Sequence, residues 1–258
     1  MIEGILVRKT PFQDRHLIGD LVLRSGKKQG VLFFGGMGGG KKIKPNNLEI
    51  GKLYKITFQN PPKGDLIQTK EWQIKWSHEN IRYNYWSFLN LNFIAEICSY
   101  VSLPCQDSLD QSDMEQQGLF NVLSNGLFYL ENNKINQNDF NFLNFFLGKL
   151  MIELGIFPFT NNCIDCDSHF IKNQPTFLNT EKGGFICSNC PMPNEETTIN
   201  CASLIESLNY SKNITWKNFQ PISNSFKTTI DHFKLLNQYI NFQLNFDYDS
   251  LKTLKSFF

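Results

Sequence analysis

Leu53-Tyr54-Lys55-Ile56-Thr57-Phe58, a break at Asn60-Pro61-Pro62, and then Leu66-Ile67-Gln68-Thr69-Lys70-Glu71-Trp72-Gln73-Ile74-Lys75-Trp76 is the stretch that decides the fold of the first third. Two runs rich in aromatic and β-branched residues, parted by turn residues, read as neighbouring strands. In the second run Trp72, Ile74 and Trp76 share one face, and Gln73 and Lys75 share the other, the period of a half-buried strand. The same pattern recurs toward the N-terminus. Ile5-Leu6-Val7 reads as a strand closed near Pro11, Leu17 to Leu23 as one ended by Ser25-Gly26, and Gly30-Val31-Leu32-Phe33-Phe34 as a third. Five strands within residues 1–76, without a long helix, predict a small barrel. The five-stranded oligonucleotide-binding (OB) fold fits best, and an SH3-like barrel produces nearly the same pattern.

Past residue 80 the period changes. Trp86, Leu89, Phe93, Ile97 and Val101 recur at helical steps and stop before Pro104. Leu119, Val122, Leu123, Leu127 and Leu130 predict a second helix. Asp139 suits the cap of a third, which turns Phe142, Phe145, Phe146, Leu150 and Leu154 inward and stops near Gly155. Ile156-Phe157-Pro158-Phe159 then leads into a cysteine-rich segment. Helical spacing returns at Leu204 to Leu208, at Phe226 to Tyr239 and at Leu251 to Phe258. Phenylalanines at helical spacing read as core. The expected architecture is α+β: a barrel over 1–78, then a helical domain over 79–258 with an insert at about 160–192.

The chain has 258 residues, 41% of them hydrophobic, and a net charge of 25 − 24 = +1, enough apolar material for a core. No run approaches the ~18 apolar residues of a membrane span, so no membrane partner is expected. The opening Met1 to Lys9 carries Glu3 and has no signal-peptide pattern, which predicts a cytoplasmic protein. The near-neutral total hides an asymmetry. Residues 1–76 hold fourteen Lys and Arg against six Asp and Glu, and the remainder eleven against eighteen. A basic first third suggests a polyanion partner.

Cys163-Ile164-Asp165-Cys166 and Cys187-Ser188-Asn189-Cys190 form two CxxC pairs with twenty residues between them. Each pair can turn two thiolates onto one ion, and four thiolates complete the tetrahedron that zinc takes. A fully protein-derived shell leaves no place for water, so the expected ion is structural Zn2+ held by Cys163, Cys166, Cys187 and Cys190. Pro175 to Leu178, then Gly183-Gly184 before Phe185-Ile186, suggest a β-ribbon between the pairs. His169 reads as an exposed polar residue, and Cys98, Cys105 and Cys201 as isolated small residues, buried or semi-buried. A zinc deaminase is excluded, because neither pair follows a proline and no His-x-Glu is present.

Gly35-Gly36-Met37-Gly38-Gly39-Gly40-Lys41-Lys42 nearly matches a phosphate loop. Lys42 stands where the magnesium-binding Ser or Thr belongs, and Pro45 opposes the helix such a loop needs. A basic inter-strand loop fits better, with Lys41, Lys42 and Lys44 contacting phosphate and glycines allowing close approach. Arg8, Lys9, Arg15, Arg24, Lys27 and Lys28 belong to neighbouring strands or turns and complete the expected nucleic-acid-binding set. Phe12, Phe33 and Phe34 are candidate stacking faces, although adjacent Phe33 and Phe34 must point to opposite sides of their strand.

With these pieces in place the chain resembles the RecO family of bacterial recombination mediators. Gly4-Ile5-Leu6-Val7 to Phe12-Gln13-Asp14, then Leu17 to Leu23 and Gly30, looks like that family's first hairpin. The basic Gly38 to Lys44 stretch falls where the family has a glycine- and basic-rich loop. Phe157-Pro158, the two CxxC pairs, Phe177 and Gly183-Gly184-Phe185 are similar to its zinc segment, and Leu251 to Phe258 to its closing helix. Acidic positions of the family's hairpin fall on Asp14 and His16, and the latter departs from the pattern. The resemblance implies a non-enzymatic DNA repair and recombination mediator. It would bind single- and double-stranded DNA, anneal complementary strands, engage SSB and RecR, help RecA load onto SSB-coated strands, and associate with the nucleoid. The competing readings are a phosphate-loop nucleotide-binding enzyme with a zinc-stabilised lid and a generic zinc-ribbon and OB subunit of replication or transcription.

Overall fold

Alternation along the first 76 residues closes on itself. The computed structural model describes all residues except 38–47, 59–65, 106–117, 137–139, 172–173, 192–198, 222–229, 246–249 and 258. Strands β1 (Ile2–Phe12), β2 (His16–Leu23), β3 (Lys28–Phe33), β4 (Leu53–Phe58) and β5 (Leu66–Trp76) form a closed barrel in the order β1-β2-β3-β5-β4, with β4 paired back onto β1. A meander would join β3 to β4. Here β3 instead pairs in parallel with β5, through Gly30↔Leu66 and Val31↔Ile67. That is the OB order, and it removes the SH3-like alternative. Leu6, Leu21, Val31, Phe33, Tyr54 and Ile56 fill the barrel and are fully buried. Gly19 lets the wall close, because a Cβ there would stand 2.6 Å from Leu6 Cδ1 and 2.9 Å from Phe33 Cε2.

Two strands differ from the sequence reading. β1 runs through Pro11 rather than stopping there. β4 flanks β1 only at Ile2 to Ile5, so near Pro11 only β2 pairs with the strand and the missing N–H has a free side. In β5 the alternation slips twice, at Lys70 and at Lys75. The slips bring Trp72 opposite the core residue Ile56 but Trp76 opposite Leu53. Trp72, Ile74 and Trp76 therefore do not line one buried face, and Ile74 is exposed.

Helix α1 (Tyr85–Val101) starts where Asn84 Oδ1 accepts the Ser87 N–H at 2.8 Å. α1 packs on β1 and β2, and α2 (Leu119–Asn132) packs on α1 and β2. The outward-facing pair Ile5 and Val22 is buried on this side of the barrel. Lys28 Nζ donates to the Ser99 carbonyl in the last turn of α1 at 2.6 Å, where a cation also suits the helix dipole. Leu251 to Phe258 is not an α-helix. Thr253–Phe257 is a 3₁₀ segment, with the N–H groups of Lys252 and Thr253 donating to the Glu96 carboxylate at 2.9 and 2.8 Å. Phe257 stands edge-on to Phe93 of α1 at 5.8 Å. Phe258 lies outside the described residues.

Residues 1–135 with 251–258 make one compact unit, and 136–250 make a second. Position 78/79 is where strand gives way to helix. In the second unit α3 (Asn141–Glu153) packs against α4 (Ala202–Asn213) and α5 (Ile230–Leu244). Asp139 and Phe226 lie outside the described residues. The position before α3 is Phe140, which makes no side-chain cap. Gly155 does stop α3. Its N–H donates to Ile152 O and that of Ile156 to Met151 O, closing the helix in a Schellman turn. Phe142, Phe145 and Phe146 are buried as expected, and Phe145 stacks on Phe219 at 4.0 Å. Among the described residues no helix is long and apolar enough to cross a membrane.

Candidate metal centre and nucleic-acid interface

In the second unit a short hairpin, β6 (Thr176–Asn179) and β7 (Gly184–Cys187), carries the cysteine insert. Gly183, at φ +74°, makes its turn. A Cβ on Gly184 would fall 2.7 Å from Ile164 Cγ2 and 3.1 Å from Phe159 Cβ, so glycine lets the first knuckle lie on β7. Ile164 N–H donates to the Phe185 carbonyl at 3.0 Å, and Lys182 pairs with Asp165 at 2.6 Å. These bonds hold Cys163 and Cys166 over Cys187 and Cys190.

All four sulfurs lie within 4.8 Å of one another. Cys163–Cys190, Cys166–Cys187 and Cys187–Cys190 are each separated by 3.7 Å. An ion bound at about 2.3 Å to four thiolates requires sulfur–sulfur edges of about 3.8 Å. The set is therefore the right size for a tetrahedral zinc ion and far too open for disulfides. Backbone and hydroxyl donors support thiolate charge. Cys187 N–H points at Cys163 Sγ at 3.3 Å, and Ser168 Oγ lies 2.9 Å from Cys166 Sγ. The Ser168 hydroxyl and then its N–H pull the Cys166 thiol down to about 6. Nothing in the CxxC spacing pointed to Ser168. His169 is exposed and outside the sulfur group. Cys98 and Cys201 are buried, and burial pushes Cys201 up to about 11.

The basic residues of the barrel divide between the two ends of β2. Arg8 and Arg15 are exposed on the β1–β2 hairpin, and exposed Lys9 beside them donates through Nζ to the Leu48 carbonyl at 3.0 Å. At the other end Arg24 pairs with Glu3 at 2.9 Å and lies 5.2 Å over the Phe120 ring. Lys27 is half-buried in the turn after β2, and Lys28 is spent on α1. Lys41, Lys42 and Lys44 lie outside the described residues. The chain on either side of residues 38–47 is tied to the hairpin. Gly35 N–H donates to His16 Nδ1 at 3.1 Å, Met37 N–H donates to the Arg15 carbonyl at 3.2 Å, and Leu48 O accepts from Lys9. Sequence reasoning gave His16 no role, since its partner lies nineteen residues away and only register joins them.

Residues 106–252, more than half of the chain and including all four cysteines, match the family model described as Recombination protein O C terminal. Fold and match together define a DNA repair and recombination protein. The chain belongs to the RecO family, whose members are recombination mediators that work with DNA. No curated protein matches it.

Proposed function

We propose that this RecO-family chain mediates recombination by binding and annealing DNA, with no catalytic chemistry of its own. The barrel takes single- and double-stranded DNA. Complementary strands anneal on it without nucleotide hydrolysis, and the protein, with RecR, helps RecA load onto SSB-coated single strands in the cytoplasm. The observation that carries this reading is the cluster of exposed Arg8, Lys9 and Arg15 on one hairpin of an OB barrel, within a RecO chain. Cations there displace counterions from phosphate, and a strand so neutralised can be approached by its complement. Lys41, Lys42 and Lys44 would extend this surface, since the chain leaves and re-enters the barrel beside the hairpin. Zn2+ on Cys163, Cys166, Cys187 and Cys190 would fix the insert and leave no open coordination position.

The test is DNA binding by the full chain across a salt series, followed by annealing of SSB-coated strands. Affinity is expected to fall linearly on a log–log plot, with a slope of roughly 0.7 per phosphate contacted on single strands. Annealing is expected to proceed without ATP. Binding that ignores salt, or annealing that requires ATP, overturns the reading.

A further inference from the structure

We propose that the outer face of the β1–β2 hairpin is a base-stacking platform for single-stranded DNA, formed by Phe12, His16 and Phe34. The proposal rests on the nucleic-acid reading of the barrel and names the part of the ligand this surface takes.

Register places the three rings together. Phe12 and His16 are direct cross-strand partners flanking the hairpin turn, so their side chains leave the same face. The next residue of β2, Leu17, points the other way into the core. At the end of β3, Phe33 is fully buried and edge-on to Trp72 at 5.4 Å. Phe34 turns outward and stands edge-on to His16 at 5.1 Å and 80°. The pair Phe33 and Phe34 is thereby resolved, with the first as core and the second on the platform. Phe12 is 38% exposed and Met37, in the turn just after, is 42% exposed.

The rings are also held in place. Gly35 N–H on His16 Nδ1 fixes the plane of the imidazole, and Met37 N–H on the Arg15 carbonyl pins the turn that carries Phe34. Arg8 lies on the same face of β1 four residues from Phe12, and Arg15 lies in the turn itself. The acids nearby are Asp14 in the turn and Asp20 opposite Arg8. Cations flanking an exposed Phe12 and the half-buried rings of His16 and Phe34 match a sugar–phosphate chain whose bases are free to stack. A duplex offers phosphates but keeps its base faces inside, so the rings should distinguish single strands while the arginines do not.

The experiment uses the full chain, an oligothymidylate and a duplex of equal length, with affinity measured across a salt series. Phe12→Ala is expected to weaken oligothymidylate binding about tenfold, leaving duplex affinity and both salt slopes unchanged. Arg15→Ala is expected to do the reverse, lowering the slope for both ligands. Phe12→Trp should keep wild-type affinity, and the fluorescence of the introduced indole should be quenched by the oligothymidylate but not by the duplex. Equal weakening of both ligands by Phe12→Ala, or an indole signal left unquenched on bound single strand in Phe12→Trp, overturns the platform and leaves the DNA-binding reading standing. Failure of the wild-type chain to bind either ligand overturns that reading itself. The tryptophan variant keeps the question decidable if the alanine variant does not fold.

Discussion

The barrel and the cysteine insert keep their candidate functional residues in opposite ways. The insert writes its site into local spacing: two CxxC pairs, and four sulfurs at tetrahedral separations. The barrel's surface exists only after pairing, when Phe12 meets His16 and residues near 35 come to the same hairpin. Metal ligation demands one atom type at one radius, so it leaves a motif. Polyanion binding sums many weak, long-range attractions and leaves only a charge excess. That excess was a blunt guide. Arg24 and Lys28 counted toward it, yet one pairs with Glu3 and the other closes α1.

The largest expected effect falls on the insert. Removing zinc by chelation, or replacing a ligand as in Cys163→Ser, should unfold the insert, because zinc affinities of about 10 kcal/mol or more are folding free energy in small metal domains. Metal analysis should show one zinc per wild-type chain and loss of it in the variant, while the salt dependence of DNA binding is retained. A barrel that loses DNA binding together with the metal breaks the comparison. Next in size, Arg8→Glu with Arg15→Glu should cut DNA affinity similarly across sequences and lower the salt slope by about one per charge removed, with zinc content unchanged. Gly184→Ala should follow. Its methyl meets Ile164 and Phe159, and such overpacking costs about 1–3 kcal/mol, read as a lower melting temperature and easier zinc release.

The smallest effect concerns acid. Glu131 accepts the N–H groups of Glu79, Asn80 and Ile81 at about 3 Å, joining α2 to the segment before α1. Partial burial opposes its charge, but the N–H groups of Asn80, Glu79 and Ile81 hold the carboxyl below its ordinary value. A lowered folded value means the stabilisation is present above the ordinary carboxylate range and is lost as pH falls through the folded value. Glu131→Gln should therefore flatten the acid side of the pH–stability curve while leaving DNA affinity unchanged, a difference visible in urea titrations at pH 3 to 6.

Much of the fold could be read before the structure. β4 and β5 begin and end where their aromatic and β-branched runs do, and Gly155 stops α3 as its position suggested. What escaped was whatever depends on a partner. The slips at Lys70 and Lys75 exist because β5 must curve to close a barrel, and no alternation within β5 records them. Leu251 to Phe258 has helical spacing, but its first N–H groups are satisfied by Glu96 more than 150 residues away, and a 3₁₀ segment suffices. At the sulfur cluster the four cysteines were legible and Ser168 was not. At the barrel Arg8, Lys9 and Arg15 were legible as charges and Phe12 and Phe34 as candidate rings, but the place of His16 beside them was not.

The grip of Glu96 on residues 252 and 253 has a consequence for how the protein is made. The second unit is spliced into the first between residues 135 and 251, so the first unit is complete only when chain from both sides of the second has come together. On the ribosome the barrel can close early, yet α1 waits for its last neighbour until translation has passed the whole cysteine insert.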